Sequence, residues 1–381
     1  MPLALPGYTE DHESFRDQIR RFVETEITPF VGEWDEAGGF PFELHKKAAE
    51  VGILGMGYPE EYGGMGSVDT IFNLIVGEEL GRCGAGGLPA SLNTHMIALP
   101  PIIAAGSDAL KQEIAPPVLA GDKVIALGIT EPSAGSDVAN LKTTAVRDGD
   151  EWVINGSKTF ITSGMRADWV TTAVRTGGEG MGGISLIVIP TSAEGFSRTS
   201  LKKMGWWMSD TATMYFDNVR VPVGNLLGDE NAGFKYIMRN FNGERMGLAA
   251  NCLGFSSICH EYALDYAQNR MTFGQRLADH QVIRHKLARM AMEIENLRSF
   301  LYTIAYSQDQ GENIIAETSM LKVKGSETFE YVANQAMQII GGHGYMRDNP
   351  VERCYRETKV QAIGGGSAEI MLDLISRQKK F

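Results

Sequence analysis

The chain has 381 residues, too many for one ordinary domain, and its 43% hydrophobic and 22% charged residues exclude disorder. Lys and Arg number 35 against 47 Asp and Glu, a net charge of −12. Nucleic acid is thereby excluded as the main partner, because phosphate backbones are held by clustered cations. The four cysteines (Cys83, Cys252, Cys259, Cys354) show no metal-ligand spacing, and no apolar run reaches membrane length. No metal, no stable membrane insertion and a reducing, cytoplasmic setting are expected. The first residues, MPLALPGYTEDHESF, show neither a basic secretory n-region nor a presequence pattern, in keeping with that setting.

From the start to about residue 122 the pattern is helical. Phe15, Ile19, Phe22 and Val23 recur at helical spacing behind Thr9, a candidate N-cap, and Pro29 limits that helix. Segments 44–54 and 70–80 repeat the pattern between glycine- and proline-rich turns. Over 123–230 the period becomes two. Strands are expected at 124–127, 151–154, 170–174, 184–189, 213–216 and 219–221, with hairpin-type turns at Asp148-Gly149 and Asn155-Gly156. No helical segments separate them, so an antiparallel barrel or sandwich is expected. From 231 to 381 the helical period returns. Ile283, Leu287, Met290, Ile294, Leu297, Leu301 and Ile304 step by four and three, the seam of a bundle, and long helices are expected at 233–269 and 314–340. The fold class is thus α+β: an N-terminal helical domain (1–122), a middle antiparallel β-barrel (123–230) and a C-terminal four-helix bundle (231–381).

Common chemical signatures are missing. There is no phosphate-binding G-x-x-x-x-G-K-[ST] and no G-x-S-x-G. His280 and His285 stand five apart, off a common helix face, so no metal site is built there. Glycine is over-represented, 44 of 381, and three clusters hold many of the glycines: Gly128-Ile129-Thr130-Glu131-Pro132-Ser133-Ala134-Gly135-Ser136-Asp137, Gly156-Ser157-Lys158-Thr159-Phe160-Ile161-Thr162-Ser163-Gly164, and Gln338-Ile339-Ile340-Gly341-Gly342-His343-Gly344-Tyr345. Small residues with free N–H groups and hydroxyls suit loops that approach a polar cofactor edge. Singly, each is more often a turn or a helix cap.

Together, and in this order, the clusters resemble the acyl-CoA dehydrogenase family over nearly the whole chain. The first is similar to the family's first signature, and the stretch from Gln338 through Arg353 to Glu357 to its second. Arg270-Met271-Thr272-Phe273-Gly274 with Gln281 resembles the family's FAD-contacting element. The segment from Phe216 to Pro222, followed by Asn225-Leu226-Leu227-Gly228, resembles the exit from its β domain. The resemblance implies FAD-dependent α,β-dehydrogenation of an acyl-CoA thioester to the trans-2-enoyl-CoA, with electrons passed to an electron-transferring flavoprotein. It implies flavin contacts from Leu127, Thr130, Gly135, Ser136, Phe160 (where the family commonly has Trp) and Thr162. Arg270, Phe273, Gln281, Gln338, Gly341 and Gly342 would contact the FAD of a neighbouring subunit or their own, hence a homotetramer, a dimer of dimers. Ser367 and Glu369 would lie near the cofactor, and Ser136, Arg245 and Gly365 near the substrate.

The catalytic base is displaced in this reading. Most family members carry it in a Tyr-Glu-Gly-Thr segment near the C-terminus, yet the matching position here is Gly365, within Ile363-Gly364-Gly365-Gly366-Ser367. Isovaleryl-CoA and long-chain acyl-CoA dehydrogenases place their Glu on a bundle helix before an Arg, and Glu244-Arg245 stand at that place. Glu244 is therefore the expected base. The plainer alternative is a solvated helix carboxylate. An acyl-CoA oxidase and a non-catalytic acyl-CoA- or flavin-binding homologue stay open, as does the choice among branched, long and terpenoid acyl chains.

Overall fold

The computed structural model describes residues 5–381, apart from the side chains of Asn240 and Asn242; the first four residues of the expected N-terminal domain lie outside it. Eight helices come first: α1 (Glu10–Phe22), α2 (Val31–Ala37), α3 (Glu43–Glu50), α4 (Thr70–Gly81), α5 (Gly87–Leu92), α6 (His95–Ala98), α7 (Pro100–Ala105) and α8 (Asp108–Leu119). Thr9 caps α1 as expected, with an acidic first turn that suits the positive end of the helix dipole. The chain then passes through a π turn at Val23–Ile27 and a 3-10 turn holding Pro29.

The middle region contains β1 (Ile125–Gly128), β2 (Thr144–Asp148), β3 (Glu151–Ile161), β4 (Trp169–Arg175), β5 (Ile184–Pro190), β6 (Phe196–Ser200) and β7 (Ala212–Pro222). They form one curled sheet in the order β1-β4-β2-β3-β7-β6, with β5 paired to β4. Two expectations need correction. The sheet is not purely antiparallel: β1 runs parallel to β4, and Thr144 of β2 pairs in parallel with Arg175 of β4. Among the described residues no ladder joins β5 to β6, so the strand series does not close. Asn155-Gly156 is also no hairpin turn. It lies inside β3 at a register shift, where Gly156 at φ 144° lets Thr143 approach so closely that a Cβ would fall 2.6 Å from its hydroxyl.

The last region is built on α9 (Gly233–Asn269), α10 (Gln281–Asp309) and α11 (Ile315–Ile340). A two-stranded ribbon, β8 (Met271–Thr272) with β9 (Gln275–Arg276), links the first two of these helices. The shorter α12 (Pro350–Ile363) and α13 (Ala368–Lys379) pack on α11, so five helices stand where a four-helix bundle is expected. On α10 the seam from Leu287 to Ile304 is buried as its spacing implies, while Ile283 stays partly exposed.

A buried ionic cluster ties the N-terminal helices to this bundle. Arg16 (α1) pairs with Glu79 at 2.6 Å and Glu78 at 3.0 Å, both on α4, and Tyr302 (α10) donates to Glu78 at 3.0 Å. Arg298 completes the pairing of Glu78. Burial alone would push the Glu78 carboxyl up, but Arg16 and Arg298 hold it down at about 2. Glu78→Ala leaves two cations short of a partner, so a loss of about 3–5 kcal/mol in urea denaturation is expected.

Candidate active site

The first cluster leaves β1 as a loop, and one buried ion pair sets its shape. Lys158, on β3 and fully buried, donates to the Ile129 carbonyl at 3.1 Å and to Glu131 Oε1 at 2.7 Å. The Glu131 carboxylate also accepts from the Lys142 and Thr143 N–H groups, at 2.6 and 2.9 Å. Burial pulls the Lys158 ammonium down to about 8, and Glu131 acts against that pull. Against the upward push of burial on its own carboxyl, Glu131 is held below the usual range by Lys158. A buried pair with so many hydrogen bonds is worth more for positioning than for stability. Neither residue stands out in the sequence as a functional residue, since the partners lie in different clusters and only the fold joins them. The pair leaves Thr130, Gly135 and Ser136 facing a cavity of about 1840 Å³.

Phe160 enters the same cavity from β3. The strand shifts register between Lys158 and Ile161, and Phe160 sits there at φ 60° with its ring 67% exposed. An aromatic ring in the left-handed region is strained and is commonly held for function. The turn that follows is anchored by the Ser163 hydroxyl, which donates to the Ser91 carbonyl at 3.1 Å. Thr162 and Leu127 line the cavity beside it.

The opposite wall comes from α9 and the turn before α13. Glu244, Arg245, Gly365 and Ser367 all line the cavity. Gly365 adopts φ +66°, and a Cβ built on it would stand 3.4 Å from Glu244 Oε1 and 2.5 Å from Leu248 Cδ1. Burial raises the Glu244 carboxyl above its usual range, partly offset by Arg245 beside it and by Lys322 on α11. Arg245 is itself buried, its guanidinium 5.6 Å from the Phe241 ring, and burial lowers its affinity for the proton. Lys322, 2% exposed, is brought down to about 8, first by burial. It does not line the cavity, acts on Glu244 only through its charge, and leaves no signal in the sequence, being a lone Lys within an apolar helix pattern. Glu369 behaves differently. It is exposed, does not line the cavity, and is kept below the usual range by its own N–H and the Ser367 hydroxyl.

The remaining expected residues gather elsewhere. Arg270, Phe273, Gln281, Gln338, Gly341 and Gly342 are exposed and none lines the large cavity. Arg270 and Gly342 border a shallow depression with Tyr266 and His343, whose rings stack 5.9 Å apart. Phe273 is 99% exposed at φ 48° on the β8–β9 ribbon. Within one chain the two groups of residues stay apart.

An aromatic and hydroxyl wall thus shares a large cavity with a half-buried carboxylate, an arrangement suited to a flavoprotein dehydrogenase. The acyl-CoA dehydrogenase N-terminal, middle and C-terminal domain families match residues 9–122, 126–219 and 231–380. The chain belongs to the acyl-CoA dehydrogenase family, oxidoreductases that depend on FAD. A probable acyl-CoA dehydrogenase from Mycobacterium abscessus is 47% identical with a TM-score of 0.95, covering 97% of this chain and 99% of that one. The mitochondrial long-chain specific acyl-CoA dehydrogenase of Rattus norvegicus is 35% identical over 97% of this chain and 87% of its own length. A glutaryl-CoA dehydrogenase from Mycobacterium smegmatis, in complex with FADH2, is 27% identical with a TM-score of 0.92, covering 98% and 95%. Among the described residues no helix is long and apolar enough to cross a membrane.

Below about pH 8 Lys322 is an ammonium whose charge lowers the Glu244 pKa. Lys322→Met is therefore expected to move the acid limb of kcat/KM to higher pH, read from a pH–rate profile, and Lys322→Arg to leave it near its original place.

Proposed function

We propose that the protein dehydrogenates an acyl-CoA thioester at its α and β carbons, with Glu244 as the base that takes the α-proton. One observation carries the reading. A Cβ at Gly365, the position where most family members place the base, would press on Leu248 Cδ1 and stand within contact distance, 3.4 Å, of Glu244 Oε1. A carboxylate arriving from α9 thus lies beside the position from which a longer side chain on the α12–α13 turn would reach.

The residues present fit FAD: a strained, exposed ring at Phe160, cavity-facing hydroxyls of Thr130, Ser136 and Thr162, and a cavity of about 1840 Å³. The chemistry that bound FAD would supply there is that of a hydride acceptor for the substrate's β-carbon. Leu127, Thr130, Gly135, Ser136, Phe160 and Thr162 are its proposed wall, with Ser367 and the outward-facing Glu369 near its edge. Because Arg270, Phe273, Gln281, Gln338, Gly341 and Gly342 cannot join that wall within one chain, they are proposed to reach the FAD of a neighbouring subunit in a homotetramer. Electron-transferring flavoprotein is the proposed electron acceptor and the cytoplasm the proposed location.

The base needs to be ionised to act, yet strong enough to remove a weakly acidic α-proton. Burial serves both demands by raising the Glu244 pKa while Arg245 and Lys322 keep the anion within reach. Arg245, Ser136 and Gly365 bound the space for the thioester end of the substrate.

Glu244→Gln is expected to retain bound yellow FAD and lose about 10²–10⁴-fold in kcat, measured by anaerobic flavin bleaching with saturated acyl-CoAs. Retained bleaching assigns the proton to another group. The same variant tests the electrostatics. A carboxyl with a raised folded pKa adds nothing adverse below its unfolded pKa and destabilises progressively as pH rises through the folded one. Glu244→Gln should therefore melt above the wild type at pH 8 and level with it at pH 4.

Moving the carboxylate back demands room. Gly365→Glu with Glu244→Gly sets the new Cβ against Leu248, so the pair alone is expected to stay weak. Adding Leu248→Ala should restore measurable turnover. A folded, FAD-loaded triple variant without turnover argues against a shared target for the two positions.

A further inference from the structure

A glycine inside a helix is unfavourable relative to alanine and calls for a packing or functional reason. In α4, α9 and α11 most such glycines have a packing reason. A Cβ at Gly77 would meet Ala250 Cβ at 2.9 Å, one at Gly81 the Asn251 carbonyl at 2.7 Å, and one at Gly254 the Glu78 carbonyl at 2.1 Å. Gly325 approaches the backbone of Ala249 at 3.2 Å. Two glycines differ. Gly243 and Gly247, four apart on α9, would place a Cβ with nothing within 4 Å, and neither has a left-handed backbone. Both line the large cavity, as do Asn73, Leu74 and Gly77 of α4.

These two glycines flank the base. They lie one residue before and three after Glu244, so their Cα atoms fall within about 5 Å of it along the helix axis. With the α-carbon at Glu244, that distance reaches the next three or four carbons of the acyl group. Gly365 and Gly366, by contrast, are filled in, since a Cβ there would meet Leu248 Cδ1 at 2.5 Å and Met371 Cε at 2.6 Å. The open space left by the two α9 glycines therefore lies beside the reacting carbons. A straight short chain would leave it unfilled, losing the contacts on one side.

We propose that Gly243 and Gly247 set the substrate class: acyl groups carrying a branch or a ring within a few bonds of the α-carbon. The inference rests on the dehydrogenase reading above and deepens it. In this arrangement the glycines remove two side chains from the wall beside the base, and the substrate's own branch or ring restores the packing. The methylene-scale contacts of a hydrophobic pocket support discrimination of about 10–200-fold.

The test compares 3-methylbutanoyl-CoA and 3-phenylpropanoyl-CoA with butanoyl-CoA on the FAD-loaded protein. Kd is measured by calorimetry in the Glu244→Gln background, where binding is separated from turnover, and anaerobic flavin bleaching is measured with Glu244 intact. The unaltered glycines should favour the branched and ring-bearing thioesters over butanoyl-CoA by at least about tenfold in both measurements. Gly247→Val and Gly243→Val should erase that preference, bringing the ratio to within about twofold of one. Gly247→Ala should raise Tm, because the helix gains and no neighbour is displaced, while weakening the ring-bearing ligand. A preference for butanoyl-CoA, or a ratio unmoved by both valine variants, overturns the proposal. A ratio that shifts in Kd with no bleaching by any thioester supports the proposal and sinks the dehydrogenation reading instead. Failure to bind any thioester overturns both.

Discussion

The place of α9 governs the site. This helix is held at backbone distance by its neighbours, with Gly77 and Gly81 of α4 against one side and Gly325 of α11 against another. At Gly254 the approach is closer than any side chain allows, since a Cβ there would overlap the Glu78 carbonyl. Such contacts leave α9 little freedom to slide or rotate, because close-packed interiors resist displacement. Glu244 is carried on this helix, so its carboxylate inherits the rigidity. The Arg16–Glu78–Arg298 cluster fastens α4 to the far face of the bundle and so braces α9 indirectly.

The two walls of the cavity are fixed by different physics. On the sheet side a charged pair, Lys158 with Glu131, shapes the loop by directional hydrogen bonds. On the helical side apolar packing carries Glu244, the proposed base, and the charges of Arg245 and Lys322 act against the upward push of burial. The difference suits the tasks. A loop that meets a polar cofactor needs its N–H groups and hydroxyls aimed, which hydrogen bonds accomplish. A base that must hold a proton only briefly needs a dry setting with its counter-charges nearby, since a fully paired carboxylate would be too weak.

Much of the helical architecture is legible before folding because its periodicity is long and uninterrupted. The α10 seam and the limits of α9 follow from spacing alone, and Thr9 marks the start of α1 by its hydroxyl and the acids behind it. The sheet is less legible. β6, a half-exposed Phe-Ser-Arg-Thr-Ser edge, carries too few buried residues to show a period, and Asn155-Gly156 has hairpin chemistry but serves as a bulge because Thr143 crosses there. Parallel pairing of β1 with β4 depends on contacts more than 40 residues apart, which no local pattern encodes. The candidate base could be reached only because a Glu missing at 365 and a Glu-Arg at 244–245 are complementary facts. Lys158, Glu131 and Lys322 leave no such trace, for their meaning lies entirely in partners brought together by folding.

The turn at Gly364–Gly366 shows why a carboxylate on α9 is compatible with this backbone and one at 365 is strained. Gly365 and Gly366 both adopt left-handed φ, +66° and +99°, values that glycine accepts freely and a side-chain-bearing residue does not. Leu248 lies where a Cβ at 365 would go, and Met371 where one at 366 would go. Side chains of the core thus fill the space that a longer side chain at 365 or 366 would need, and α9 brings the Glu244 carboxylate to within 3.4 Å of it. Once Leu248 and Met371 occupy that space, restoring a glutamate at 365 means moving a core side chain as well as a backbone dihedral. The location of the proposed base and the packing of the α12–α13 turn are therefore one coupled choice.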